Sequence, residues 1–183
     1  MDSFYDEKEL KQIGFKKIGQ DVKISRKVSI YSPENISIGN HVRIDDFSIL
    51  SGEIEIGNYV HISAYTALYG KFGIKIGNFC GCSPRTIIFS ATDDFSGEYM
   101  ISPLVPEEYT NLQKGPVELK DFVQIGANSI IMPNIIIHEG AVTGAFSFIK
   151  NDLEEWSINV GIPAKKIKER QKNVRDMSRK IVD

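Results

Sequence analysis

Apolar residues return at every sixth position along two long stretches of the chain. The later stretch has anchors at Leu119, Ile125, Ile131, Ile137, Thr143 and Ile149, and a smaller residue stands four places after the first five of them, at Val123, Ser129, Ile135, Ala141 and Ser147. The earlier stretch has Ile38, Ile44, Leu50, Ile56, Ile62 and Leu68, and its segments IGNHV and IGNYV begin eighteen residues apart, which is three hexads. A helix needs apolar residues three or four apart, and a half-buried strand needs alternation. A period of six fits a short strand and a turn, repeated so that the same side chain always returns to the interior. The pattern predicts an all-β solenoid, a parallel β-helix whose stacked coils carry ladders of Ile and Val. Glycines that follow anchors, such as Gly39, Gly57, Gly126 and Gly144, are expected to supply backbone angles that a Cβ penalises.

Hexads already begin at Ile18, Ile24 and Ile30, with Ile36-Ser37 as a two-residue corner insertion and a second insertion around Gly70 to Lys75. The frame runs to Ile88, fails at Asp94 and resumes at Leu119. One domain over 1–183 is therefore expected, with coils at 18–88 and 119–150 and a long extruded loop at 89–118. Loops of this length inside a compact repeat are uncommon and usually functional. A short N-terminal helix over Ser3 to Gly14 is expected to plug the first coil through Phe4, Leu10 and Ile13, with Ser3 and Asp6 at capping-box spacing. A C-terminal helix over 163–183 is expected to pack through Ile167, Val174, Met177 and Ile181, with Trp156 pinning the segment down.

Composition narrows the class. With 42% hydrophobic residues in 183, one real core is affordable. A net charge of −2 gives no whole-chain attraction for nucleic acid. No apolar run has the length of a membrane span and no leader pattern opens the chain, so a cytoplasmic location is expected. Charge is uneven: from Ala164 to Asp183 eight basic residues face three acidic ones, a net +5, which favours a polyanion there. Cys80 and Cys82 fall at inward positions of neighbouring hexads and are read as core, because a metal site needs more ligands.

The hexads, the single interrupting loop, the segment Gly161-Ile162-Pro163-Ala164-Lys165-Lys166 and the terminal helix resemble the left-handed β-helix acyltransferases, from about Ile18 to Lys168. The string SATDDFSGEY resembles the members that N-acylate nucleotide-linked 3-amino- or 4-amino-dideoxy sugars. This resemblance implies left-handed winding, against the usual crossover hand. It also implies a homotrimer with active sites between subunits, acetyl-CoA or another acyl-CoA as co-substrate, and no metal. By the same resemblance the pantetheine arm passes Gly126-Ala127 and Gly144-Ala145, where main-chain N–H groups bind its carbonyls and polarise the thioester. Lys150, Lys165 and Lys166 would meet the adenosine phosphates.

The family's O-acetyltransferases carry a histidine after the loop departs, in a pattern ending Ala-x-His. Here the matching residues are Ser90-Ala91-Thr92-Asp93, so Asp93 stands in the histidine's place. An alcohol needs a base near pKa 7, whereas a neutral amine attacks unaided and its nitrogen becomes strongly acidic afterwards. A loop with Asp93, Asp94 and Glu98 and no histidine suits N-acylation. The three carboxylates are the catalytic candidates, and Ser83 and Arg85 in the preceding coil are candidates for holding the nucleotide sugar.

Three other readings stay open at this stage. One is O-acetylation of a sugar, with a histidine lent by a neighbouring subunit. The second is a γ-type carbonic anhydrase, disfavoured because His41, His61 and His138 are spaced by 20 and 77 residues. The last is a non-catalytic β-helix that serves assembly alone.

Overall fold

The structure is a computed structural model that describes residues 3–182; Asp183, the last residue of the expected terminal helix, lies outside them. Short parallel strands stack into three ladders. The first joins Lys17–Ile18 to Ile36–Ile38, then to the strands ending at Ile56 and Ile76, then to Val117–Leu119 and Ile135–Ile137. The second runs Lys23–Ile24, Arg43–Ile44, His61–Ile62, Gly81–Cys82, Gln124–Ile125, Val142–Thr143 and Ser157–Val160. The third rises from Ser29–Tyr31 through the strands around Leu50 and Leu68 to Ile87–Phe89, Ile130–Ile131 and Phe148–Ile149. Pairing is in register, so Ile56, Ile76, Leu119 and Ile137 lie one above another, all at most 2% exposed. Burying each such side chain stabilises the fold by about 1.5–3 kcal/mol.

Two expectations about the coils change. Ile36 is no corner insertion: it is fully buried and begins its own ladder with Ile54, Ile74, Val117 and Ile135. The regular coil therefore resumes at Val117, ahead of Leu119. The glycines after anchors also serve a different purpose. Gly39, Gly57, Gly126 and Gly144 do not have positive φ. A Cβ on Gly39 would come within 2.6 Å of the Gly57 carbonyl oxygen, and one on Gly57 within 2.8 Å of Gly77. Rung spacing, not backbone angle, demands them.

Between rungs the polar chain atoms are paired by side chains. Oδ1 of Asn40, Asn58 and Asn78 accepts from the main-chain N–H of Gln20, Asn40 and Asn58, and Asp121 ends the column by accepting from Asn78 at 2.7 Å. Ser48, Thr66, Thr86, Ser129 and Ser147 form a buried hydroxyl column whose oxygens donate to turn carbonyls. Cys80 and Cys82 are buried free thiols, and burial pushes Cys82 up to about 12 and Cys80 upward as well.

The ends differ from expectation. Helix α1 spans Glu7–Ile13, shorter than the expected 3–14, with Asp6 as N-cap, Glu9 closing the capping box and Gly14 in the left-handed region. Residues 165–169 form a strand antiparallel to Ser157–Val160, and helix α2 occupies only Asn173–Val182 of the expected 163–183. Ile167, Met177 and Ile181 are consequently more than half exposed, and do not pack as expected. Trp156, 1% exposed, does lie beneath the segment, with Arg170, Lys172 and Arg175 over its ring. Arg170 adds hydrogen bonds to the carbonyls of Phe122 and Gly140. Among the described residues no helix is long and apolar enough to cross a membrane.

Candidate active site

Ser83 belongs to a column at the corner between the second and third ladders. Asp45, Ser63, Ser83, Gly126 and Gly144 each follow an anchor of the second ladder. Main-chain bonds fix their stacking: Ser63 N–H donates to Cys82 O and Ser83 N–H to Ile125 O, both at 2.9 Å. The Ser83 carbonyl accepts from Thr86 Oγ1 at 2.8 Å, which locks the corner. Ser83 itself lines a cleft of 310 Å³. Arg85 sits at the same corner in the left-handed region, exposed, its guanidinium 5.5 Å from the Tyr65 ring centroid.

The long loop leaves at Ser90 and returns at Gly115. Ser90 is fully buried; its Oγ donates to Tyr69 O and accepts from Phe72 N–H, both at 2.9 Å, and its carbonyl accepts from Gly115 N–H at 3.0 Å. Strands Ala91–Asp93 and Leu112–Lys114 pair antiparallel above this neck. The loop is less polar than its composition implied, since Phe95, Met100, Ile101, Leu104 and Tyr109 are all at least half exposed.

The three loop carboxylates separate clearly. Asp94 Oδ1 accepts from Ser96 N–H and Oδ2 from Asn111 Nδ2, each at 2.8 Å, and bonds from Ser96 and Asn111 hold its carboxyl below the usual range. That makes Asp94 a poor base and a good staple. Glu98 is exposed on the outer turn, where its N–H donates to Ser96 Oγ at 3.2 Å. Asp93 ends the first neck strand, half-buried, and among the described residues its carboxylate has no partner. Asp93 is thus the carboxylate available for a ligand. Ser83 precedes and Asp93 follows the strand Ile87–Phe89, and among the described residues no bond joins the two within one chain.

The expected cofactor residues are partly reassigned. Gly126 N–H is committed to Thr143 Oγ1 at 3.0 Å and Gly144 N–H to Asn159 O at 2.8 Å, so neither is available to an acyl group. The N–H groups of Ala127 and Ala145 have no such partner among the described residues and remain the candidates. Lys166 bonds Glu154 and Glu169 at 2.8 and 2.7 Å, which raises it to about 12. Lys150 and Lys165 are exposed and unpaired among the described residues. His41 pairs with Asp21, His61 with Asp45, and His138 stands exposed.

A solenoid of six-residue repeats, interrupted by one long acidic loop beside a column of small residues, defines a transferase of the hexapeptide-repeat class. The family described as bacterial transferase hexapeptide (six repeats) matches residues 116–151. The chain is 47% identical over 178 residues, 96% of its length and 93% of the relative's, to dTDP-4-amino-4,6-dideoxy-D-glucose acyltransferase of Escherichia coli. It therefore belongs to the hexapeptide-repeat acyltransferases. Among solved structures it is similar to AntD, an N-acyltransferase from Bacillus cereus, in complex with dTDP and 3-hydroxybutyryl-CoA. That match has 51% identity and a TM-score of 0.97 and covers 100% of this chain and 97% of that one. Other AntD crystals carry dTDP-4-amino-4,6-dideoxyglucose and coenzyme A, and in this set a serine and an aspartate ten positions apart were each replaced. A maltose O-acetyltransferase from Clostridium difficile 630, at 23% identity and TM-score 0.57, shares the fold alone.

Proposed function

We propose that the protein transfers an acyl group from acyl-CoA to the 4-amino group of dTDP-4-amino-4,6-dideoxyglucose, in the synthesis of a surface glycan. The observation that carries the reading is the near full-length match to relatives bound to that nucleotide sugar and to CoA. Ser83 and Asp93 are ten positions apart, the same spacing as the serine and aspartate replaced in AntD. This supports Ser83 and Asp93 as the pair that faces the reacting atoms. Asp93 orients the ammonium and accepts its proton. The neutral nitrogen attacks the thioester carbon, the C–N bond forms as the C–S bond breaks, and the nitrogen's second proton goes to the departing thiolate. Ala127 and Ala145 N–H stabilise the oxyanion, while Lys150, Lys165 and the basic terminus receive the CoA phosphates.

Because no bond joins Ser83 and Asp93 within a chain among the described residues, we place the pair between copies of a homotrimer, one copy's loop reaching its neighbour's corner. The exposed Phe95, Leu104 and Tyr109 support this, because such a surface gains by being covered. Both substrates are highly charged and are drawn from the cytoplasm, where the enzyme works. The test is thiol release from acetyl-CoA and from 3-hydroxybutyryl-CoA in the presence of the nucleotide amino sugar. Turnover with either donor is expected, and no release with both sinks the reading.

A further inference from the structure

We propose that His61 positions the acceptor: held by Asp45, its imidazole forms one wall of the cleft beside Ser83 and takes a hydrogen bond from a sugar hydroxyl. The inference rests on the functional reading above. Asp45 Oδ2 lies 2.7 Å from His61 Nε2, and its Oδ1 accepts from Arg43 Nε at 2.7 Å. The Asp45 side chain is only 18% exposed. Burial raises its carboxyl, but the bonds from Arg43 and His61 outweigh that and hold it ionised. The carboxylate oxygen accepts from Nε2, and in the tautomer that this bond selects Nδ1 carries the lone pair. Among the described residues Nδ1 has no partner. It is a fixed acceptor awaiting a donor.

The cleft continues onto the next rungs. Gly81 stands directly above His61 in register, and Gln124 follows it. Lacking a Cβ, Gly81 leaves room for the Gln124 carboxamide, whose Oε1 lies where a Cβ would collide and whose Nε2 donates to Phe79 O at 3.0 Å, so an amide forms the wall opposite His61. The resulting cleft is lined by His61, Ser63, Gly81, Ser83 and Gln124. Its place in the column sets the direction of approach. Gly126 and Gly144, beside the acyl donor's path, lie on one side of Ser83, and His61 and Ser63 on the other. An acceptor that meets the thioester at Ser83 is therefore held from the His61 side. His41 makes a similar pair with Asp21 at 3.0 Å, but its ring is stacked on Tyr59 with centroids 4.6 Å apart.

The experiment compares wild type, His61→Ala and His61→Gln with dTDP-4-amino-4,6-dideoxyglucose and with analogues that lack the sugar's 2- or 3-hydroxyl. His61→Ala is expected to raise the acceptor KM on the order of tenfold, the worth of one hydrogen bond. The acyl-CoA KM and the melting temperature should stay unchanged, and His61→Gln should recover part of the loss. One deoxy analogue should be poor for wild type but no worse than the parent sugar for His61→Ala. An unchanged acceptor KM overturns the assignment. So does a raised KM with wild-type discrimination against both analogues, because that is a structural effect. Absence of wild-type turnover overturns both this inference and the functional reading, whereas wild-type turnover with an indifferent His61→Ala overturns this one alone.

Discussion

Asp94 and Asn111 close the base of the long loop twice, through the main chain from Asp94 N–H to Asn111 O at 3.1 Å and through the side chains at 2.8 Å. Among the described residues the carboxylate of its neighbour Asp93 has no partner. Adjacent carboxylates therefore differ, one holding the loop and one uncommitted among the described residues.

Exchange of the two should separate their roles. Asp93→Asn keeps the shape and removes the charge, and is expected to lower kcat/KM for the amine by on the order of 100-fold, the lower end of what a proton acceptor contributes. Asp94→Asn should cost activity about tenfold or less, through the loop rather than the chemistry. Steady-state kinetics on both variants decide it. If both keep full activity, neither carboxylate has the role assigned.

The loop staple should also show a pH dependence of definite sign. Asp94 has a folded pKa below its unfolded value, so its contribution is fully present above about pH 4. It is lost as pH falls through the lowered value. The Ser96 amide proton, which donates to Asp94 Oδ1, should titrate with a midpoint below 3.8. A midpoint at or above that value contradicts the bonding described.

Gly126→Ala should destabilise the upper coils. The added Cβ would meet the Gly144 carbonyl carbon and Ala145 N, both backbone atoms that cannot swing aside. Overpacking of this kind costs about 1–3 kcal/mol. Denaturant unfolding of variant and wild type measures it.

Cys80 and Cys82 should be silent to thiol reagents in the folded protein. Burial keeps both as thiols far above neutral pH, and only a thiolate reacts. Two thiols should become reactive on denaturation. Labelling under native conditions at a rate faster than unfolding would contradict the burial.

The period of six in Ile38 to Leu68 and in Leu119 to Ile149 carried the scaffold, because a ladder position leaves the same residue type at every turn. Ile36 escaped that frame because coils of this chain, the loop-bearing one apart, vary between sixteen and twenty residues, as the Val142↔Ile158, Ile36↔Ile54 and Lys17↔Ser37 pairings show. The terminal strand Lys165–Glu169 escaped as well, since its Lys-Lys-Ile-Lys-Glu pattern suits a helix and only pairing with Ser157–Val160 makes it a strand. In the candidate site, the position of Asp93 at the start of the loop was legible from where the hexad frame fails. The commitments of Gly126 N–H, Lys166 and Asp94 were not, because each depends on a partner from a different rung or strand. His61 had a weak signal at most: an outward histidine looks like surface until Gly81 and Ser83 are stacked over it.

The neck at Ser90 and Gly115 means that the excursion begins and ends at one point of the prism. Changes of length or sequence within 91–114 are thereby uncoupled from the spacing of the rungs on either side.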